Sequence, residues 1–197
     1  MSQYFEENNN LKKEKKIITI KFKDKYYKVY TDSGVFSKDK LDYGTKLLLE
    51  NITENKLAGN ILDLGCGYGI IGIIIASIYS NTLVDMCDIT DRAIILSEEN
   101  IRNLNITNTN IIKSNIYEKI KNKYNYIITN PPIRAGKETL KKFLFGAKEH
   151  LKENGELWFV MRKDHGVKSM IKELEKTYKV EIKEKSKGFY IVICKIK

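Results

Sequence analysis

The sequence predicts an α/β fold, in which helices cover a mostly parallel sheet that ends in an antiparallel pair of strands. Short apolar segments alternate with helical segments through the middle of the chain, an order typical of parallel sheets with helices on both faces. The last two apolar segments, residues 180–185 and 189–196, are separated only by Ser186-Lys187-Gly188. This loop is too short for a crossover helix, so the two strands must pair antiparallel.

A length of 197 residues is that of one domain. Residues 1–16 are polar, and we expect a flexible N-terminal segment there. Residues 17–30 alternate apolar and polar side chains around Lys23-Asp24, a pattern that predicts a β-hairpin. We therefore expect a single domain over residues 17–197 that includes this N-terminal hairpin.

The elements after the hairpin follow in chain order. Leucines at helical spacing predict a helix over residues 41–52, and the run ILDL predicts a buried strand over residues 61–64. The remaining strands are predicted from short apolar runs bounded by turn residues, at residues 83–88, 109–113, 124–129, 156–161, 180–185 and 189–196. The remaining helices are predicted from apolar spacing, at residues 70–79, 91–104, 137–151 and 167–178.

Composition restricts the class of protein. The three cysteines, Cys66, Cys87 and Cys194, have no CxxC spacing, so we expect buried thiols and neither a disulfide framework nor a metal site. No apolar run approaches the roughly 18 residues of a membrane span, and the polar N-terminus does not resemble a signal peptide, which predicts a cytoplasmic protein. The net charge of +10 favours a polyanionic partner, although codon bias accounts for the lysines equally well.

A glycine-rich loop, DLGCGYG over residues 63–69, joins the first buried strand to an apolar helix. Its glycines permit a tight turn and a close approach of a ligand to the backbone. Asp88 ends the next strand, where an acid can accept both hydroxyls of a ribose. Ser114-Asn115 ends the third strand, within reach of an adenine edge. Because ligands bind beyond the carboxyl ends of parallel strands, these residues predict a site for a nucleoside-like cofactor.

The fourth strand ends in Asn130-Pro131-Pro132-Ile133, which contains the only two prolines of the chain. An amide oxygen on Asn130 and the carbonyl of Pro131 can accept the two N–H bonds of an exocyclic amino group. Such a grip orients the nitrogen and favours its pyramidal form, whose lone pair can attack. Successive prolines stiffen the loop and hold both acceptors in place beforehand. The alternative is that the prolines only terminate a strand.

Together, these segments resemble class I S-adenosylmethionine methyltransferases. The run GVFSKDKLDYGTKLLL and the later TNPPIRAGK resemble the small-methyltransferase family, which includes ribosomal small-subunit guanine-N2 methyltransferases. The resemblance implies a Rossmann-like, seven-stranded sheet with its last strand antiparallel, and S-adenosyl-L-methionine as the cofactor, bound without metal. The cofactor residues that it implies are Asp63, Gly65, Cys66, Gly67, Asp88, Ile89, Ser114, Asn115, Gly44 and Thr45.

Roles follow for several of these residues. Asp63 would lie behind the methionine end of the cofactor and help to orient its amino group, and the backbone amides of Gly44 and Thr45 would bind the methionine carboxylate. Asp88 would hold the ribose, and Asn115 would contact the adenine. The family more often has aspartate at the position of Asn115, although an asparagine oxygen can still accept from the adenine amino group.

Three further residues are candidates for binding substrate. Family members that act on bases often carry an aromatic residue after the second proline, and here Ile133 stands at that position. Phe36 is the candidate to supply the missing aromatic face, and packing in the core is its alternative role. Arg134 and Lys137 are candidates to meet phosphates, and solvated surface charge is the alternative for both.

The sequence thus predicts an S-adenosylmethionine-dependent methyltransferase with an RNA partner, acting on guanine N2 in small-subunit ribosomal RNA. One alternative is a protein glutamine-amide N-methyltransferase, because a side-chain amide poses the same lone-pair problem. That family usually has a tyrosine after the prolines and a separate N-terminal helical domain. The other alternative is a non-catalytic RNA-binding assembly factor that retains the fold.

Overall fold

The computed structural model describes residues 15–32 and 40–197. Its nine strands are β1 (Lys15–Phe22), β2 (Lys25–Asp32), β3 (Gly59–Leu64), β4 (Thr82–Asp88), β5 (Thr109–Lys113), β6 (Tyr124–Thr129), β7 (Leu151–Arg162), β8 (Tyr178–Ser186) and β9 (Phe189–Ile196) in this part of the chain. Its α-helices are α1 (Tyr43–Ile52), α2 (Ile70–Ile78), α3 (Asp91–Asn103), α4 (Lys137–His150) and α5 (Val167–Leu174). None of these helices is long and apolar enough to cross a membrane.

Strands β3 to β9 form one sheet of seven strands in the order β5-β4-β3-β6-β7-β9-β8. The pairs among β3 to β7 are parallel, whereas β9 runs antiparallel to both β7 and β8. The predicted Rossmann-like sheet with an antiparallel last strand is confirmed. Because β9 runs backwards, its first residues lie at the same edge of the sheet as the carboxyl ends of the parallel strands.

Two apolar clusters cover the two faces of this sheet. Successive residues of a strand point to opposite faces, and accordingly Trp158 belongs to one cluster and Phe159 to the other. The first cluster joins the sheet to the hairpin and to α1 and α2, and the second joins it to α4 and α5. Cys66, Cys87 and Cys194 are all buried and free, as predicted, and burial raises the pKa of Cys87 and of Cys194 to about 12.

Strands β1 and β2 form the predicted hairpin, with Lys23 and Asp24 between Phe22 and Lys25. The hairpin is fixed to α3 by polar contacts. Arg92 Nε donates to Asp32 Oδ2 at 2.8 Å, and Asn100 both donates to the carbonyl and accepts from the N–H of Tyr30. Strand β1 already begins at Lys15, within the segment expected to be flexible, and residues 1–14 lie outside the described part of the chain.

Two boundaries, the start of β7 and the end of α5, differ from the sequence prediction by more than two residues. Strand β7 begins at Leu151 rather than at residue 156 and contains Asn154-Gly155, where pairing with β6 moves from Leu151–Tyr124 to Glu156–Tyr126. The residues between these two pairs are therefore inserted as a bulge rather than a separate loop. The last helix ends at Leu174, before Tyr178 begins β8. The Tyr178 hydroxyl donates to the Leu144 carbonyl in the core, which places this residue in the sheet layer.

Candidate active site

A cavity of about 820 Å³ lies at the carboxyl edge of the parallel strands. This volume is within the range of about 300–1,000 Å³ that is usual for small-molecule sites. One half of the cavity lies over β3, β4 and β5 and is bounded by the glycine loop. The other half lies over β6, β7 and the start of β9, and Asn130 and Phe189 both line it. The sheet order therefore places the predicted cofactor residues beside the predicted Asn-Pro-Pro segment.

The glycine loop forms the floor of the first half. The N–H groups of Gly65 and Cys66 both donate to the Cys87 carbonyl at 2.9 Å, which ties the loop to the end of β4. Gly67 has a φ of +59°, and a Cβ added there would meet no atom within 4 Å. A side chain would thus be strained and would occupy space in front of the loop. The backbone at Gly67 is open to the close approach of a ligand, as the sequence predicts.

Asp88 is held rigidly where β4 ends. Its Oδ2 accepts from Gly67 N at 3.0 Å, and its Oδ1 accepts from Thr90 N at 3.0 Å and from Thr90 Oγ1 at 3.2 Å. Oδ1 already accepts two hydrogen bonds, whereas Oδ2 accepts one and can still accept from a ligand hydroxyl. Asp88 and Ile89 both line the cavity, and this remaining acceptor suits a hydroxyl of a ribose.

Asp63 lies beneath the loop, and it is not among the residues that line the cavity. Its carboxylate is fully buried. Oδ2 accepts from Gly72 N at 2.8 Å, and Oδ1 has no partner among the described residues. Burial raises the pKa of Asp63 from 3.8 to about 7, and the carboxylate of Asp88 adds to this effect. Asp63 therefore joins β3 to α2, and the structure places it behind the site.

The raised pKa of Asp63 predicts a pH-dependent stability. Between about pH 4 and 7, the folded protein keeps a proton on Asp63 that the unfolded chain releases. The stability that this proton contributes to the folded state is therefore lost as pH rises through this range. Asp63→Asn retains an acceptor for Gly72 and does not titrate. We expect the unfolding free energy of the variant to rise against wild type by about 2 kcal/mol from pH 5 to pH 8. Urea titrations at both pH values measure this difference, and an unchanged difference would contradict the shift.

The end of β5 supplies the opposite wall of the cofactor half. Ser114 is buried and its hydroxyl donates to the Ile116 carbonyl, which fixes the loop. Asn115 is exposed, and its Nδ2 donates to Glu118 Oε1 at 2.6 Å. Since a carboxylate can only accept, the Asn115 oxygen remains available as an acceptor. That polarity suits an adenine amino group, and Ser114, Asn115 and Ile116 all line the cavity.

The start of α1 differs from the prediction. The amide N–H groups of Gly44 and Thr45 donate to the carboxylate of Asp42, at 2.9 Å and 3.2 Å. These amides were expected to bind the methionine carboxylate, but the N-cap side chain already provides their anion. Gly44 is buried against the Phe189 ring, whereas Thr45 and Asp42 line the cavity. We therefore revise the roles of Gly44 and Thr45 from binding the carboxylate to shaping the wall.

Asn130 lies where β6 ends, beside the start of α1. Its Nδ2 donates to Thr45 Oγ1 at 2.9 Å and to Asp42 Oδ2 at 3.3 Å. The amide oxygen is thereby left available as an acceptor. Pro131 is buried, and the chain turns into a short 3-10 helix at Ile133. The four residues Asn130, Pro131, Pro132 and Ile133 all line the cavity, so the predicted acceptor group and the loop that stiffens it come together.

The three candidates for substrate binding differ in their outcome. Arg134 is exposed and lines the cavity. Lys137 does not line it, because this side chain points to α5 and forms an ion pair with Glu173 at 3.0 Å. Phe36 lies outside the described residues, so its role stays a prediction. Of the two candidates that the structure describes, it brings only Arg134 to the site.

Several residues of the cavity were missed in the sequence. Phe189, Arg162 and His165 line the half beside Asn130. Arg162 is the last residue of β7, and His165 lies three residues further along the chain. The predicted parallel order of the strands therefore already indicated that both lie at this edge of the sheet. Phe189 reaches the site only because β9 is antiparallel, which brings the start of that strand to this edge.

Comparisons place the chain among known proteins. It matches the family described as methyltransferase small domain over residues 26–193. It is 38% identical to the uncharacterized protein YbxB of Bacillus subtilis, over 98% of this chain and 97% of that protein. It is 32% identical to ribosomal RNA small subunit methyltransferase C of Psychromonas ingrahamii, over 82% of this chain and 46% of that enzyme. The chain thus spans about half the length of that methyltransferase.

Two solved structures share the fold. A T. thermophilus 16S rRNA N2 methyltransferase, in complex with AdoMet and guanosine, superposes with a TM-score of 0.83 at 19% identity, covering 93% of this chain and 51% of that one. The ribosomal protein L11 methylase of Lactobacillus delbrueckii superposes with a TM-score of 0.69 at 22% identity, covering 83% and 88%. The sequence match over residues 26–193 contains both the glycine loop and the Asn-Pro-Pro segment. The chain therefore belongs to the methyltransferase small domain family, and it is an S-adenosyl-L-methionine-dependent methyltransferase.

Proposed function

We propose that this methyltransferase methylates the exocyclic N2 amino group of guanine in small-subunit ribosomal RNA. The observation that carries the proposal is the orientation of Asn130, whose amide nitrogen is bound by Asp42 and Thr45 while its oxygen stays available. The named functions of two relatives agree with it. One is a small-subunit ribosomal RNA methyltransferase, and the other is a 16S rRNA N2 methyltransferase that binds guanosine.

The cofactor would supply an electrophilic methyl group, and the chain's own residues would prepare the nucleophile. The Asn130 oxygen and the Pro131 carbonyl would accept the two N–H bonds of the amino group and direct its lone pair toward the cofactor half of the cavity. Both acceptors are fixed before substrate arrives, so most of the rate comes from positioning. No general base is needed during transfer, because the nitrogen becomes cationic first and can then lose a proton to water.

The rim beside Phe189 supports a nucleic acid as the substrate. The rings of Phe189 and Tyr43 lie 5.5 Å apart, the Arg162 guanidinium lies 5.4 Å from the centre of the Phe189 ring, and Lys187 lies 4.9 Å from that of Tyr43. The edge of the Arg162 guanidinium also pairs with the Asp164 carboxylate, with Nε 3.0 Å from Oδ1 and Nη2 2.9 Å from Oδ2. A flat, fixed guanidinium offers a face on which a nucleobase can stack, and its charge attracts phosphate. The protein would then hold the base without an aromatic residue at position 133.

If a nucleobase stacks on the Arg162 guanidinium, a positive charge at position 162 alone is insufficient for binding RNA. Arg162→Ala and Arg162→Lys should both raise the KM for RNA, by roughly ten- to a hundredfold, since stacking contributes about 1–3 kcal/mol per base. Affinity for the cofactor should stay unchanged. Lys163→Ala is the matched control, because Lys163 is an exposed neighbouring cation that does not line the cavity. If Arg162→Lys behaves like wild type, the guanidinium plane has no role in binding RNA.

Methyl transfer from labelled cofactor to small ribosomal subunits tests the proposed function. The subunits come from a strain that lacks the gene, and RNA and protein are separated after the reaction. We expect the label in RNA, as N2-methylguanosine after nuclease digestion. Label in the protein fraction would favour the glutamine-amide alternative, and label in neither fraction would contradict the proposal.

A further inference from the structure

Asp42 connects the start of α1 to the reactive end of β6. Its Oδ1 accepts from Gly44 N at 2.9 Å, and its Oδ2 accepts from Thr45 N at 3.2 Å and from Asn130 Nδ2 at 3.3 Å. Asp42 is thus both the N-cap of α1 and a direct partner of the side chain proposed to grip the substrate. The same carboxylate therefore serves two groups that lie far apart in the sequence.

The side-chain amide of Asn130 works in only one of its two orientations. Turned by about 180° about its last torsion, it has nearly the same shape but presents N–H donors where it presented an oxygen. A substrate amino group carries N–H donors itself, so the inverted amide would repel it. Whatever selects between the two orientations therefore decides whether Asn130 can act.

Of the two partners that the Asn130 amide has among the described residues, only Asp42 can make that selection. The Thr45 hydroxyl can donate or accept, so it accommodates either orientation. A carboxylate accepts only, and the two oxygens of Asp42 already receive N–H groups from Gly44 and Thr45. An Asn130 oxygen at 3.3 Å from Oδ2 would face a negative charge with no proton between them. The inverted amide is excluded for this electrostatic reason.

We propose that Asp42 is a positioning residue, which fixes the polarity of the Asn130 amide so that its oxygen faces the substrate. The proposal rests on the proposed function, since it explains why Asn130 is a competent acceptor. It does not require Asp42 to touch the substrate or the cofactor. Its consequence is that catalysis depends on the complementary polarity of positions 42 and 130, rather than on either residue alone.

Asp42→Asn is the first test, because asparagine is as good an N-cap as aspartate. Gly44 N makes the shorter of the two capping contacts, at 2.9 Å against 3.2 Å for Thr45 N, so we expect the new side chain to turn its oxygen to Gly44 and its NH2 group to Asn130. The Asn130 amide is then favoured in the inverted orientation. We expect kcat to fall at least tenfold, with the cofactor Kd and the melting temperature close to wild type. Asp91→Asn, in the first turn of α3, is the matched loss of charge outside the cavity.

The reciprocal exchange provides a rescue that a purely structural role would not produce. Asn130→Asp alone places two carboxylates against each other and should lower kcat more than Asp42→Asn does. The double variant Asp42→Asn/Asn130→Asp restores a donor at position 42 and an acceptor at position 130. We expect its kcat to exceed that of Asn130→Asp at least tenfold. No rescue, or a kcat within threefold of wild type for folded Asp42→Asn, would overturn the proposal.

A measurement without RNA separates this proposal from the proposed function. In the isotopically labelled protein, the side-chain NH2 protons of Asn130 and the backbone amide proton of Thr45 converge on the same Asp42 oxygen. We expect a nuclear Overhauser effect between them in wild type and its loss in Asp42→Asn. Its absence in wild type would contradict the role of Asp42, whatever the substrate. If wild type shows the effect but methylates no RNA, the proposed function fails and the orientation of Asn130 stands.

Discussion

Replacing Asn130 by alanine is expected to lower the rate of methyl transfer by about 100- to 1,000-fold, the loss typical when one preorganised polar group is removed. The cofactor Kd should change little, because the lost acceptor interacts chiefly with the nitrogen in the transition state. Calorimetry measures the affinity, and single-turnover kinetics with small subunits measure the rate. The distinctive result is a large loss in rate with nearly normal binding.

Asn122→Ala is the matched control for this experiment. Asn122 is exposed and precedes the opposite end of β6, where its Nδ2 donates to Asp85 at 3.1 Å. It therefore reports the effect of losing an asparagine side chain near the same strand without touching the cavity. Turnover by Asn130→Ala within a few fold of this control would rule out the proposal that the Asn130 oxygen orients the substrate amino group.

Replacing Asp88 by alanine should instead weaken cofactor binding, by about 1–3 kcal/mol or roughly ten- to a hundredfold in Kd. The change removes the acceptor proposed for the ribose hydroxyls and leaves Gly67 N and Thr90 N without their carboxylate. Isothermal titration with S-adenosyl-L-methionine measures the effect. At saturating cofactor, the remaining rate should approach wild type, in contrast to Asn130→Ala.

Asp91→Ala separates a contact with the cofactor from a general loss of charge. Asp91 lies three residues after Asp88 and pairs with Lys113, but it does not line the cavity. We expect its Kd for the cofactor to match wild type. Equal affinities for the Asp88 and Asp91 variants would remove Asp88 from the cofactor site.

Most of the sheet could be predicted because its strands are short apolar runs bounded by turn residues. The bounds of β5, β6 and β9 agree with the prediction, since each strand is delimited by polar or turn residues on both sides. The bulge in β7 could not be predicted, because Asn154-Gly155 has the composition of a turn and only pairing with β6 retains it in the strand. Local sequence therefore located the elements better than their irregularities.

The candidate site was predicted where it depends on strand ends and missed where it depends on distant parts of the chain. Asp88 and Asn130 follow directly from the strand-then-loop pattern. The ion pair that holds Lys137 away from the cavity depends on how α4 packs beside α5, which no local pattern gives. Phe189 depends on the direction of β9. The role of Asp42 as an N-cap could have been predicted, because Asp42 lies at the start of α1 and aspartate is a common N-cap.

In the proposed function, Asn130 and the adjoining loop position a guanine amino group of small-subunit ribosomal RNA for methylation. Nucleoside mass spectrometry of that RNA from a strain lacking the gene, complemented with wild type or with Asn130→Ala, tests it most directly. We predict that N2-methylguanosine at one site is lost in the deletion strain, returns with wild type and stays absent with Asn130→Ala at equal protein level. An unchanged nucleoside profile in the deletion strain, or full return with Asn130→Ala, would contradict the claim.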